Sequence, residues 1–121
     1  GMANPQETDG LFQILQEKVA NTFITAQFQD TRKMAMASVY AALQAGVDRF
    51  DTSAGGLGGC PVAPGATDNV ATEDVVNMLN TLGIETGIDV KKVCEAVSLI
   101  APHVSRPIDT GMYWLFRNGQ L

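Results

Sequence analysis

The stretch Gly55-Gly56-Leu57-Gly58-Gly59-Cys60-Pro61-Val62-Ala63-Pro64-Gly65-Ala66-Thr67-Asp68-Asn69-Val70-Ala71-Thr72-Glu73-Asp74 decides how this chain is read. Its glycines permit unusual backbone angles and close approach of a ligand to the main chain, while Pro61 and Pro64 stiffen the remainder. Loops of such length are more often functional than connective. Just upstream, Val47-Asp48-Arg49-Phe50-Asp51-Thr52-Ser53 reads as a strand. Just downstream, Val75, Val76, Met78, Leu79 and Leu82 recur at helical spacing, and Gly83 closes the run. Thr72 is the predicted N-cap, with Glu73 and Asp74 placed to suit the positive end of the helix dipole. The loop therefore joins the carboxyl end of a strand to the amino end of a helix.

Working outward, Thr22-Phe23-Ile24-Thr25-Ala26-Gln27-Phe28 is β-branched and aromatic and predicts an earlier strand. Asp30 or Thr31 caps a predicted helix running to about Ala45, with Gly46 placed to end it. Strand, helix, strand in this order implies a right-handed crossover and parallel pairing. Two parallel strands alone leave faces and edges uncovered. The chain thus reads as part of a larger α/β structure, or as a protomer that completes its sheet with copies of itself. Toward the amino end, Asp9 is a plausible N-cap for Leu11, Phe12, Leu15 and Val19. Residues 1–8 read as a disordered tail, with Gly1 before Met2 a scar of tag removal, and residues 9–121 as the domain. Toward the carboxyl end, Asp89 caps a last helix with Val90, Val93, Val97 and Ile100 inward, stopped by Pro102. Met112, Tyr113, Trp114, Leu115 and Phe116 form an apolar cluster that should dock on something.

The 121 residues suffice for one modest core, and 45% of them are apolar. A net charge of −5 and only 17% charged residues exclude a basic stripe for nucleic acid. No apolar run reaches the length of a membrane span, and no signal peptide is visible. Cys60 and Cys94 supply no disulfide framework and fit a cytoplasmic protein. The low charged fraction points to surface hidden by self-association, hence a homo-oligomer.

Along a strand, residues two apart share a face, so Gln27 and Gln29 point together at the carboxyl end of the first strand. Asp51, Thr52 and Ser53 end the second strand at the same rim, where ligands bind in α/β folds. Solvated strand ends and helix caps account for these groups equally well. Cys60, between Gly59 and Pro61, reads as an exposed loop thiol, and mid-helix Cys94 as core. His103 has no cysteine or acid partner in sequence, and Asn69 is also explained as a capping or turn amide. Gly56-Leu57-Gly58 lacks the third glycine of a dinucleotide fingerprint, and no phosphate-loop Gly-Lys-Ser/Thr occurs.

The run Gly56-Leu57-Gly58-Gly59-Cys60-Pro61, then Ala63-Pro64-Gly65, then Asn69-Val70-Ala71-Thr72-Glu73-Asp74 closely resembles the 3-hydroxy-3-methylglutaryl-CoA lyase family. The resemblance extends back through Asp30-Thr31-Arg32 and Ala41-Ala42-Leu43-Gln44-Ala45-Gly46-Val47, and forward through Leu82-Gly83-Ile84-Glu85-Thr86-Gly87. It implies a partial TIM barrel, the last two βα units plus C-terminal helices. It also implies an acyl-CoA substrate, hydroxymethylglutaryl-CoA, cleaved to acetyl-CoA and acetoacetate with Mg²⁺ or Mn²⁺. On the same resemblance Cys60 is the proton donor of a substrate-closing loop that includes Gly56, Gly58, Gly59 and Pro61. Asn69 is then a metal ligand, and Gln27 and Gln29 stand where the family carries a His-x-His pair of ligands. The family's catalytic arginine and the metal-binding aspartate of its first strand have no counterpart in this chain. The resemblance therefore predicts a lyase-like protein incomplete as an isolated chain. The alternative is a non-catalytic oligomeric interaction or ligand-binding module derived from the barrel.

Overall fold

The computed structural model describes residues 1–59 and 68–121, so the predicted site residues Cys60 and Pro61 lie outside the described residues. Two compact units emerge. The first holds Gly1–Thr52 and the described part of Gly58–Val70; the second holds Ser53–Leu57 and Ala71–Leu121.

In the first unit, helix α1 (Pro5–Lys18) and helix α2 (Ala35–Gln44) flank a short parallel pair, β1 (Ala26–Gln27) and β2 (Phe50–Asp51). The register sets Ala26 opposite Phe50 and Gln27 opposite Asp51, the parallel pairing expected of strand, helix, strand. Phe12, Ala26, Ala42 and Val47 form the core. Phe12 meets Phe28 edge-on, with ring centroids 6.2 Å apart. Helix α1 starts earlier than the Asp9 cap predicts. Asn4 accepts from the Glu7 amide at 2.8 Å and Pro5 occupies the first helical position, where its missing N–H costs nothing. Residues 5–8 of the predicted tail are thus helical, and Thr8 is buried.

The ladder is shorter than either predicted strand. The chain turns at Thr22, whose amide donates to the Val19 carbonyl, and Phe23 stands exposed beneath the Arg49 guanidinium, 3.7 Å from the ring centroid. Asp30 does cap α2, but from across a turn: its Oδ1 accepts from the Ala35 amide at 3.1 Å, while Met34 occupies the N-cap position.

In the second unit, α3 (Thr72–Thr81), α4 (Val90–Ile100) and α5 (Gly111–Arg117) surround Cys94, Val97, Ile108, Met112 and Tyr113. Asp89 caps α4 as predicted, accepting from the amides of Lys91 and Lys92. The buried stripe of α4 centres on Cys94 and Val97, while Ile100, predicted inward, is exposed. Helix α3 begins at Thr72, with Ala71 rather than Thr72 at the N-cap. The reason is a bridge: Ala71 pairs with Ser53, and the Thr72 amide donates to the Ser53 carbonyl at 2.9 Å. The apolar tail cluster folds as α5, with Met112 and Tyr113 buried and Trp114 exposed. No described helix is long and apolar enough to cross a membrane.

Candidate functional site

Beyond β1 the chain continues extended through Phe28, Gln29 and Asp30, and residues 68–70 run alongside in the opposite direction. The Val70 amide donates to the Phe28 carbonyl at 3.0 Å, and the Asp30 amide donates to the Asp68 carbonyl at 2.9 Å. This places Gln29 in an antiparallel bridge with Asn69. It also brings the Asn69 side chain to Gln27, whose Nε2 donates to Asn69 Oδ1 at 3.4 Å. Residues predicted from strand alternation and from the loop thus meet at the carboxyl end of β1. Gln27 is exposed, and Gln29 and Asn69 are half-buried.

Gly58 belongs to this cluster for a steric reason. Its φ is +105°, and a Cβ there would lie 2.8 Å from Asn69 Nδ2. Any larger residue would displace the asparagine. A cavity of about 610 Å³ opens beside Gln27 and Gln29, walled by Phe12, Phe28, Met34 and Ser38. A larger open depression of about 710 Å³ lies around Glu85–Lys91, but no predicted site residue reaches it.

The chemistry of the donor set tests the implied cation. Mg²⁺ and Mn²⁺ favour oxygen donors, and affinity rises with ligand charge, so carboxylates hold them more tightly than neutral amide carbonyls. Here the clustered side chains are neutral amides, and Gln27 already donates to the oxygen that Asn69 would offer a cation. Asp51 stands in register with Gln27 as a single carboxylate. Asp30 and Asp68 face the Lys33 ammonium at 3.5 and 4.0 Å. Among the described residues no three His, Cys, Asp or Glu side chains gather into a metal-holding group. These residues do not fit a tight divalent site.

A second polar constellation lies in the second unit, and the sequence reading missed its role. Glu73 is fully buried, and both of its oxygens accept from the Gly55 amide, at 3.1 and 3.0 Å. Oε1 also accepts from Thr110 Oγ1 at 2.6 Å. Gly55 has φ +69° and packs against Val97 and Ile108, so the first turn of the glycine stretch is held from both sides. Gly56 is buried in the same turn, its amide donating to the Ser53 carbonyl. Asp74 in turn accepts from the amides of Gly111 and Met112, capping α5 from another element. Cys94 is core, as predicted. Its thiol is pushed up to about 11, chiefly by burial and further by the negative charges of Glu73 and Asp74. It stays protonated at neutral pH and is no nucleophile. His103 is exposed on the short turn after α4 and Gly59 is exposed beside Gly58.

With this geometry in view, comparison with known proteins places the chain. A family profile described as HMGL-like matches residues 1–100. This chain belongs to the HMGL-like family, a TIM-barrel family. Hydroxymethylglutaryl-CoA lyase of Pseudomonas mevalonii is 43% identical over 110 residues, covering 91% of this chain and 35% of that protein. Hydroxymethylglutaryl-CoA lyase YngG of Bacillus subtilis (strain 168) is 38% identical over 118 residues, covering 98% of this chain and 40% of that one. The solved structure of an HMG-CoA lyase from Acinetobacter baumannii, in complex with coenzyme A and 3-methylmalate, superposes with a TM-score of 0.90 at 35% identity. It covers 100% of this chain and 40% of the other. The chain spans 40% or less of the length of these relatives.

Proposed function

We propose that this chain carries the carboxyl-terminal share of a lyase site that cleaves 3-hydroxy-3-methylglutaryl-CoA to acetyl-CoA and acetoacetate. The observation that carries this reading is the meeting of Gln27, Gln29 and Asn69 beside Gly58, at the strand ends where α/β enzymes bind ligands. In the reaction a general base takes the proton of the substrate's tertiary hydroxyl, whose oxygen becomes the ketone of acetoacetate. The electrons of the breaking carbon–carbon bond pass to the carbon beside the thioester. That carbon then takes a proton, for which Cys60 is the proposed donor, giving acetyl-CoA. The chain's own part is to supply the donor and to hold the acyl group against the amide rim. A partner acyl-CoA is in keeping with the coenzyme A complex of the Acinetobacter relative.

The isolated chain is proposed to lack turnover. Acetoacetate release from hydroxymethylglutaryl-CoA tests this, with the chain alone and mixed with the upstream barrel segment of the Bacillus subtilis relative. The expected result is cleavage only in the mixture, reduced at least about a hundredfold by Cys60→Ala. A mixture that co-folds yet releases no acetoacetate overturns the lyase reading and leaves the binding-module alternative. A homo-oligomer in the cytoplasm remains part of the proposal. Exposed Phe23, Leu99 and Trp114 support the first and the unpaired Cys94 thiol the second.

A further inference from the structure

The amide rim differs in kind from a cation site, and its surroundings favour a different ligand atom. We propose that Gln27 and Gln29, the former oriented by Asn69, bind an acyl ligand's carbonyl or carboxylate oxygen by hydrogen bonds, with no divalent cation between. The inference rests on the reading of this rim as the substrate site and adds how the ligand is held.

Each glutamine amide carries two N–H donors. One N–H of Gln27 is committed to Asn69 Oδ1, which fixes the orientation of that amide and leaves its second donor. Gln29 is half-buried, lines the cavity, and makes no side-chain hydrogen bond among the described residues. A half-buried donor beside a cavity is matched by an acceptor on whatever fills it. The apolar walls Phe12, Phe28 and Met34 suit the carbon skeleton of an acyl group. The local charges point the same way. Lys33 sits against Asp30 and Asp68, the neighbours in sequence of Gln29 and Asn69, and opposes a second cation there. Asp51 in register with Gln27 and Glu7 at the cavity wall are single carboxylates, too few to replace the charge of a ligand cluster.

The first arm of the test is Mn²⁺ binding, followed by the electron paramagnetic resonance signal of free Mn²⁺. The wild-type chain is expected to leave that signal unchanged at millimolar Mn²⁺, and the double variant Gln27→His/Gln29→His to bind at least about tenfold more tightly. Mn²⁺ uptake by the wild type that Mg²⁺ displaces overturns the proposal. Failure of both proteins to bind overturns it too, because the side chains at the two glutamine positions would not converge on one point. The second arm is calorimetry with acetyl-CoA, which offers a thioester carbonyl, and with 3-hydroxy-3-methylglutarate, which offers carboxylates. Whichever binds should do so equally in EDTA and in excess Mg²⁺, and Gln29→Ala should weaken it about threefold to tenfold. Binding that requires Mg²⁺, or no binding of either compound in EDTA, overturns the hydrogen-bonding site. Gln27 and Gln29 lie outside the core, and circular dichroism checks the variants' helix content. Should the double variant unfold, the Gln29→Ala arm decides. Neither arm reads acetoacetate, so a failed lyase assay and a failed amide site are told apart.

Discussion

The amide cluster of the first unit and the carboxylate hub of the second are both polar, yet they are built in opposite ways. Gln27, Gln29 and Asn69 stand at a rim, exposed or half-buried, and the Gln27 amide reaches Asn69 over a long hydrogen bond of 3.4 Å. Glu73 has no exposed surface, and its carboxylate is surrounded by the Gly55 amide and the Thr110 hydroxyl, the latter at 2.6 Å. A buried charge persists only when its lone pairs are satisfied, so the hub must be complete to exist at all. An exposed amide loses little by leaving a donor to water or ligand. Structural polarity and available polarity are thus separated by burial, not by residue type.

The contrast breaks most easily at Glu73. Glu73→Ala removes the acceptor for two donors, each of which loses a charge-assisted partner inside the protein. Urea melts at neutral pH are expected to show a loss of about 3 kcal/mol, with Glu73→Gln losing less because one amide oxygen still accepts. A change below about 0.5 kcal/mol would mean that the hub is no more than a surface cap.

Cys94 sharpens the same contrast through pH. The folded state holds its thiol pKa at about 11, above the ordinary value, so its contribution to stability is complete below about pH 9. That contribution is lost as pH rises through 11, and its size is on the order of 2 kcal/mol. The ¹³Cβ resonance of Cys94 should titrate with a midpoint near 11. A midpoint at the ordinary thiol value would deny that burial, and after it the negative charges of Glu73 and Asp74, raise it.

The smallest effect is expected at the rim. Gln27→Ala should change stability by less than about 0.5 kcal/mol, since its amide is exposed and its one bond is long. A loss as large as that of Glu73→Ala in the same melts would make the amide cluster structural and remove the distinction.

Much of the rim could be read before folding. The alternation that puts Gln27 and Gln29 on one face is a property of extended backbone, and Gly58 and Asn69 lie in a loop whose composition already marks it. The hub could not be read in that way. An acidic pair at the start of α3 has a sufficient local explanation in the helix dipole, which predicts exposure. Its partners lie 18 residues upstream at Gly55 and 37 residues downstream at Thr110, and no local pattern links the three. Helix α5 escaped for a related reason. Seven residues are too few for a periodicity to declare itself, and the cap comes from Asp74, 37 residues upstream of Gly111. The early start of α1 was different, because Asn4 and Pro5 are a local signal that Asp9 outweighed.

By itself, then, the sequence determined the parallel strand–helix–strand order, the cap of α4 at Asp89 and the core place of Cys94. Each follows from spacing within one or two turns of backbone. Only the tertiary structure decided that Asn69 would reach Gln27, that Asp74 would start α5, and that Glu73 would be sealed beneath Gly55 and Thr110. Those outcomes depend on which distant groups burial brings together, since a polar group withdrawn from water must find its partner wherever the fold has placed one.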